Sequence, residues 1–370
     1  MHWRRSVRAP PRRPCPPTET LPAMTTPLGQ EAFIAALPKV ELHVHHVGSA
    51  APETVARLAA RHHDSPVPSD LEALREFYTF TDFAHFIDVY LAVVDLLRSP
   101  QDIHLLTYEV ITGLAAQRVR YAELTMTPYT SVVRGTPIQA YTEAIEDARL
   151  AAERDTGTVV RWIYDIPGES GIPAADATLE FALRHGPQSL IGFGLGGPEV
   201  PRAQFAGHFG RARAAGLHSV PHAGESTNAA SVWAALDLLG AERIGHGIRA
   251  IDDPRLVERL VRDAIPLEVC PTSNLATRVV EHLEEHPLRA LRDAGVVVTI
   301  NSDDPPMFGT TLNQEYRLAA ELLELDHDGV ADLARTALAA SYAPDDVRRR
   351  IAAELDEVVG AAGQPLEPAV

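Results

Sequence analysis

Eight short apolar segments of strand length recur along this chain and alternate with amphipathic stretches of helical periodicity. The segments are rich in β-branched or aromatic residues, which favour strands. The predicted strands are residues 40–45, 120–126, 159–166, 190–195, 219–222, 243–246, 266–270 and 296–301. Amphipathic stretches include residues 137–154, 201–215, 229–239, 253–263 and 286–293. Strand–helix alternation repeated eight times predicts an α/β fold, a parallel (β/α)8 TIM barrel.

The alternative to a barrel is a doubly wound open sheet. An open sheet of that kind binds a dinucleotide at a glycine-rich turn that opens its first helix. The chain after the first predicted strand reads His46-Val47-Gly48-Ser49 and lacks such a turn. The barrel is therefore the preferred prediction.

The interval between the first and second predicted strands, residues 46–119, is too long for a simple crossover. Thr81-Asp82 is typical of a helix N-cap. An apolar stripe then follows at helical spacing, formed by Phe83, Phe86, Ile87, Tyr90, Val94 and Leu97. We expect extra helices here that pack against the barrel, cover its mouth as a lid, or do both.

Residues 1–23 differ in composition from the rest of the chain. They contain five arginines, a single acidic residue, Glu19, and many prolines, without apolar periodicity. They also lack the apolar core of a signal peptide. We expect a disordered, basic, proline-rich leader, or an extension ahead of a start at Met24, followed by one barrel domain over residues 24–370.

Charge and composition limit the partners of this protein. A net charge of -17 argues against nucleic acid or an anionic membrane, since both require a basic surface. No uninterrupted apolar stretch is long enough to predict a membrane span. Two cysteines, Cys15 and Cys270, do not suggest a disulfide framework, and we expect a reducing, cytoplasmic compartment. The oligomeric state is not predicted.

Four polar motifs lie at the ends of predicted strands. They are His43-Val-His45, His222-Ala-Gly-Glu225, Gly245-His246-Gly247 and Ser302-Asp303-Asp304. Because alternate residues of a strand face the same side, His43 and His45 point together. Barrel active sites lie at the carboxyl ends of the strands, so the motifs are expected to converge there. Imidazole and carboxylate ligands suit zinc.

These motifs, with Lys39-Val-Glu-Leu ahead of the first, resemble those of the adenosine deaminase family of the amidohydrolase superfamily. The resemblance runs in the same order over residues 38–345. It implies hydrolytic release of ammonia from C6 of a purine nucleoside, a small-molecule substrate. It also implies one Zn²⁺ per chain, with the ligands His43, His45, His222 and Asp303.

The resemblance implies a role for four further groups. Glu225 would protonate N1 of the purine, and His246 would orient and deprotonate the attacking water. Asp304 would bind N7. The backbone of Gly197 would approach N3, because a glycine lets a planar ring lie close to the chain.

Two other kinds of metal site are disfavoured by the sequence. Binuclear amidohydrolases usually bridge their metals with a carboxylated lysine in the fourth strand, whereas the single lysine here, Lys39, begins the first strand. The zinc deaminases of the other architecture use Pro-Cys-x-x-Cys. Cys270 is instead followed by Pro-Thr-Ser. We therefore expect one metal ion.

One position departs from the family pattern in a way that argues against adenosine as the substrate. Adenosine deaminases usually continue the histidine pair with Leu-Asp-Gly, and Val47 stands where that aspartate would accept a hydrogen bond from the ribose 5′-hydroxyl. Losing a hydrogen bond to a charged group costs about 1.5–3 kcal/mol. The Ile-Glu-Gly of adenine-specific members is not matched either.

The departure at Val47 favours an adenine nucleoside without a free 5′-hydroxyl. Our hypothesis is 6-aminodeoxyfutalosine, of the futalosine route to menaquinone, with Arg134 as a candidate partner for its acid group. The alternatives are an adenosine deaminase with relaxed 5′ contacts and a catalytically silent member that serves as a binding module. His46 lies beside the motif. Eight other histidines are predicted to be surface or packing residues: His62, His63, His85, His104, His185, His208, His282 and His286.

Overall fold

The structure is a computed structural model that describes residues 29–362. The predicted leader, residues 1–23, and Cys15 lie outside the described residues. Within residues 29–362, no helix is both long and apolar enough to cross a membrane.

The strands of the described chain are all parallel and form two sheets. They are β1 (Lys39–His45), β2 (Val119–Met126), β3 (Val159–Pro167), β4 (Leu190–Gly196), β5 (His218–Ser219), β6 (His222–Ala223), β7 (Ile244–His246), β8 (Leu267–Val269) and β9 (Val298–Ile300). One sheet has the order β1 to β5 and the other the order β6 to β9. All eight predicted strands are therefore present, the fifth as two short pieces.

The two pieces of the fifth strand join the two sheets. Pro221, which has no N–H to donate to a ladder, separates β5 from β6. The chain between them still bonds both neighbours: the Val220 N–H donates to the Phe193 carbonyl at 3.1 Å, and the Gly245 N–H donates to the Pro221 carbonyl at 3.0 Å. The interruption thus leaves the strand order of a barrel intact.

The last strand returns to the first. Val44 and Asp303 form a parallel bridge. The His45 N–H donates to the Asp303 carbonyl at 2.9 Å, and the Asp303 N–H donates to the His43 carbonyl at 3.0 Å. These bonds close the predicted (β/α)8 barrel just beyond the end of β9, beside the first histidine motif.

Helices surround the barrel. They are α1 (Gln30–Ala36), α2 (Pro52–Ala59), α3 (Leu71–Phe77), α4 (Phe83–Val94), α5 (Pro100–Ala116), α6 (Pro128–Val133), α7 (Ile138–Thr156), α8 (Gly171–Glu180), α9 (Ala206–Ala214), α10 (Ala229–Leu239), α11 (Pro254–Arg262), α12 (Pro271–Ala276), α13 (Leu288–Asp293), α14 (Leu312–Leu323), α15 (His327–Ala340) and α16 (Asp345–Ala362). The five amphipathic stretches correspond to α7, α9, α10, α11 and α13.

Four helices, α2 to α5, occupy the long interval between β1 and β2. Asp82 caps α4 as predicted, because its carboxylate accepts a hydrogen bond from the His85 N–H at 2.9 Å. The helix ends at Val94, so the last residue of the predicted stripe, Leu97, lies beyond it. Phe86 and Val94 are buried against the core.

Candidate active site

A cavity opens where the strands end. On the barrel side it is lined by motif residues, with an aspartate at the end of β3: His45, Asp165, Gly197, His222, Glu225, His246, Asp303 and Asp304. On the other side it is lined by α4, through Phe83, Phe86, Ile87, Tyr90 and Leu91. Helix α4 therefore packs against the barrel and also covers the mouth, so the two expectations for this segment hold together.

The four predicted metal ligands lie in one buried cluster. The Nε2 atom of His45 is 3.1 Å from Nε2 of His222 and 3.2 Å from Oδ1 of Asp303. The Nε2 atom of His43 is 3.6 Å from the same aspartate oxygen. His43, His222 and His246 also offer ring nitrogens within 4.8 Å of one another. The sequence motifs thus converge as expected.

The donor atoms fit a cation at this position. The Nδ1 atom of His43 lies 3.0 Å from Oε2 of Glu268, which fixes the ring proton on that side. The Nε2 atom of His43 is buried and has no hydrogen-bond partner among the described residues. A histidine whose other nitrogen donates to a carboxylate is the usual arrangement of a metal ligand. The bare nitrogen faces Asp303, so the residues present can hold a metal ion.

Two residues of the cluster have left-handed backbone conformations that residues other than glycine rarely adopt. The φ angle is 59° at His246 and 63° at Asp303. Conformations of this kind cost about 1–3 kcal/mol each and concentrate at functional sites. Asp303 is held by the Ser273 hydroxyl, which donates to its Oδ2 at 2.6 Å. Gly245, beside His246, leaves room for the His43 ring, which a Cβ atom would approach to 2.7 Å.

The titratable groups of the cavity have perturbed pKa values. Burial raises the pKa of Glu225 well above its usual range, and the nearby charges of Asp303 and Glu199 add to the effect. Burial and Asp303 likewise raise the pKa of Asp304. Burial, together with repulsion from His43, lowers the pKa of His246 to about 3. These shifts favour the protonated carboxyl groups of Glu225 and Asp304 and the neutral ring of His246.

The structure also brings in side chains for which no role was predicted. Asp165 lies with Oδ2 3.6 Å from Nδ1 of His222, and burial raises its pKa to about 7. Glu268 contacts His43, and its other oxygen accepts from Arg243 at 2.5 Å. Asn274 lies against His246. Asp165 and Glu268 could have been suspected, because each is a lone carboxylate inside a predicted buried strand.

Glu199 organises the loop that carries the proposed acid. Its carboxylate accepts hydrogen bonds from the backbone N–H groups of Gly224, Glu225 and Ser226 at 3.1, 2.8 and 2.9 Å. Arg202 donates from Nη2 to Glu199 at 2.9 Å and to the His222 carbonyl at 2.7 Å. The loop after β4, which contains Gly197, is thereby tied to the end of the fifth strand.

Three residues tied to the substrate hypothesis lie outside the cavity lining. Val47 is buried, and His46 bonds the Thr107 hydroxyl through Nε2 at 2.7 Å. Arg134 pairs with Asp95 and donates to the Thr130 carbonyl at 2.8 Å. Thr130 lines the cavity, whereas Arg134 does not. Gly197 lies in the lining, with a φ angle of 76°.

A barrel with a buried histidine and aspartate cluster at the carboxyl ends of its strands defines a hydrolytic deaminase of the amidohydrolase type. Residues 38–358 match the family model described as adenosine deaminase. The chain belongs to the adenosine deaminase family.

Known relatives and solved structures agree with this family. The chain is 59% identical over 334 residues to a Streptomyces avermitilis protein named aminodeoxyfutalosine deaminase, covering 89% of this chain and 93% of the relative. The crystal structure of adenine deaminase from Arthrobacter aurescens is 34% identical with a TM-score of 0.81, covering 88% of this chain and 99% of that one. An amidohydrolase from Burkholderia ambifaria with bound Zn is 26% identical with a TM-score of 0.82, covering 94% and 96%.

Proposed function

We propose that this protein hydrolyses the 6-amino group of an adenine nucleoside, releasing ammonia, and that its substrate is 6-aminodeoxyfutalosine of the futalosine route to menaquinone. The observation that carries the reaction is the convergence of His45, His222 and Asp303 in one cavity beside Glu225, whose pKa is raised by burial. The substrate is supported by the 59% identity to the protein of that name.

His43, His45, His222 and Asp303 would hold one zinc ion. Bound there, zinc supplies Lewis acidity that lets a water molecule attack at neutral pH. The zinc-bound amidohydrolase structure supports this choice of metal.

The protein's own groups supply the proton transfers and the orientation. Glu225 carries a proton that it can give to a ring nitrogen as the water adds to C6. Asp304, also protonated, can donate a hydrogen bond to a second ring nitrogen. The Nε2 atom of His246 lies 3.8 Å from both Glu225 and Asp303, where it can hydrogen-bond the attacking water.

The side of the cavity formed by α4 suits a substituent that is more apolar than a free hydroxyl. Phe83, Ile87 and Tyr90 of α4 form that wall. No carboxylate stands at position 47 to bind a 5′-hydroxyl, since that residue is Val47. A nucleoside with an aromatic group on its 5′ carbon therefore has more to bury here than adenosine does.

Adenosine is the second candidate substrate, favoured by the description of the family model. The test compares kcat/KM for 6-aminodeoxyfutalosine, 5′-methylthioadenosine, 5′-deoxyadenosine, adenosine and adenine, with zinc measured per chain. We expect the futalosine derivative to be preferred at least tenfold over adenosine. A tenfold preference for adenosine would contradict the proposed substrate, and zinc binding without ammonia release from any 6-aminopurine would indicate a binding module.

A further inference from the structure

A chain of hydrogen bonds leads from a helix N-terminus to the back of His246. Leu288 is the first residue of α13, and its N–H has no partner within the helix. That N–H donates to Nδ1 of His286 at 3.1 Å. The Nε2 atom of His286 lies 3.1 Å from Oδ1 of Asn274, and Nδ2 of Asn274 lies 3.3 Å from Nδ1 of His246. The side chains are buried, with exposed fractions of 6% for His286, 0% for Asn274 and 1% for His246.

The direction of every bond in this chain follows from its first member. A backbone N–H can only donate, so Nδ1 of His286 carries no proton. The ring proton of His286 is therefore on Nε2 and donates to Oδ1 of Asn274. The reversed amide of Asn274 would set its NH₂ group against that N–H, placing two donors face to face. Burial lowers the pKa of His286 to about 4, which agrees with a neutral ring.

The orientation of the Asn274 amide then determines which ring nitrogen of His246 carries the proton. Its NH₂ group can only donate, so Nδ1 of His246 must accept. A neutral imidazole has one ring proton, which is left on Nε2, the atom facing Glu225 and Asp303. An imidazolium would need a proton on Nδ1 as well, and that proton would meet the amide donor in a buried site with no room to turn away.

We infer that Asn274 and His286 are positioning residues that hold His246 in its Nε2–H tautomer, so that His246 donates a hydrogen bond to the attacking water instead of accepting its proton. The proton that the water loses passes to Glu225, which has given its own proton to the ring nitrogen and whose Oε2 lies 3.8 Å from Nε2 of His246. This inference rests on the proposed function for the identity of the attacking group. It differs from the role that the family resemblance implied for His246, which was to deprotonate the water.

The tautomer can be measured directly. Protein labelled with ¹⁵N-histidine gives well-separated signals for protonated and bare ring nitrogens, and the signals lost in His246→Gln belong to His246. We expect a protonated Nε2 and a bare Nδ1 at neutral pH, in zinc-loaded and in zinc-free protein. A protonated Nδ1 in the zinc-loaded protein would overturn the inference.

A substitution that changes a single side-chain group of Asn274 distinguishes the two possible roles of His246, hydrogen-bond donor and base. In Asn274→Asp, the carboxylate can only accept, so it draws the ring proton of His246 to Nδ1 and leaves Nε2 bare. If His246 is a donor, kcat should fall at least tenfold with KM and zinc content little changed. If His246 is a base, the new aspartate–histidine pair should strengthen it, so an unchanged or increased kcat would overturn the inference. Asn313→Asp, in the first turn of α14, is the matched control and should keep its activity.

A second pair of variants covers the case in which Asn274→Asp does not fold. The amide of His286→Gln can still donate to Asn274, so the tautomer and most of kcat should be kept. His286→Leu cannot donate, so the ¹⁵N signals should show a mixture of tautomers and kcat should fall. Equal kcat values for these two variants would overturn the inference. A wild-type protein with the Nε2–H tautomer but without deaminase activity would instead contradict only the proposed function.

Discussion

A single buried proton on Glu225 is central to the proposed chemistry. The pKa of this carboxyl group is raised well above its usual range, first by burial and then by Asp303 and Glu199, which favours its protonated, acid form. Glu225→Gln keeps the shape and the hydrogen-bonding capacity but has no proton to give. We expect kcat to fall by about 10²–10⁴-fold, with zinc content unchanged, in assays of ammonia release and metal content. A fully active Glu225→Gln variant would show that another group supplies the proton.

A buried amine, that of Lys39, lies far from the chemistry, at the amino end of β1. Burial, with repulsion from Arg118 and Arg120, lowers the pKa of Lys39 from 10.5 to about 7. Between pH 7 and 10.5 the unfolded chain therefore binds more protons than the folded protein, and stability attributable to Lys39 rises with pH in that window. Below pH 7 the full cost of charging the buried amine is present.

The variant Lys39→Met should remove this pH dependence. Each pH unit corresponds to about 1.4 kcal/mol, so the free energy of unfolding of the wild type should gain roughly 2 kcal/mol relative to Lys39→Met between pH 7 and pH 9. Urea unfolding of both proteins at the two pH values measures the difference. The loss of the hydrogen bonds from Nζ to the Ile34 and Leu37 carbonyls affects both pH values alike. If the free energy of unfolding changes equally with pH in the two proteins, the pH dependence does not come from Lys39.

At the scale of elements, the Glu199–Arg202 pair fastens two loops that come from different strands. The pair is almost fully buried, so removing one charge leaves the other without a partner, at a cost of about 3–5 kcal/mol. Glu199→Ala should therefore lower the free energy of unfolding by several kcal/mol. It should also lower kcat more than it raises KM, because the backbone of Glu225 loses its hydrogen bond.

Steady-state kinetics and urea unfolding test the role of Glu199, with Glu258→Ala on the exposed face of α11 as the control. The control variant should change neither the kinetic constants nor the free energy of unfolding. If Glu199→Ala loses stability but keeps the kinetic constants of the wild type, the pair is structural and does not position Glu225.

The elements that periodicity describes well were predictable from the sequence, and those that depend on contacts between strands were not. The strand ending at His45 and the helix beginning at Phe83 follow from local patterns, an apolar run and an N-cap aspartate. The break at Pro221 follows from a missing N–H, but its position in the ladder depends on both neighbouring strands.

The motif residues of the site were predictable for the same reason, whereas their supports were not. Histidine and aspartate at strand ends form a recognisable pattern, so His43, His45, His222 and Asp303 were expected to meet. Glu268 contacts His43 although the two residues are 225 positions apart along the chain, and no local pattern encodes such a contact. The same holds for His286, predicted only to lie at the surface or in packing, which reaches His246 through Asn274.

At the scale of the whole molecule, the candidate metal cluster lies on the seam that closes the barrel. Its members come from β1, from β6 and from the residues after β9. The bonds across the seam include the Val44–Asp303 bridge, the Leu42 N–H, which donates to the Asn301 side chain at 3.1 Å, and the Ser302 N–H, which donates to Glu41 at 2.9 Å. An ion held by His43, His45 and Asp303 would cross-link the first and last strands, so metal binding and barrel closure should be coupled.

Removing the metal should therefore loosen this seam more than the rest of the barrel. A ligand present at a hundred times its dissociation constant stabilises the folded state by about 2.7 kcal/mol, so a chelator should lower Tm by about 5 °C or more, and zinc should restore it. Amide hydrogen exchange should accelerate in residues 39–45 and 298–304, while the β2–β3 ladder, on the other side of β1 from the seam, should stay protected. Uniform acceleration would show that zinc stabilises the fold as a whole, and an unchanged Tm after verified zinc removal would refute the coupling.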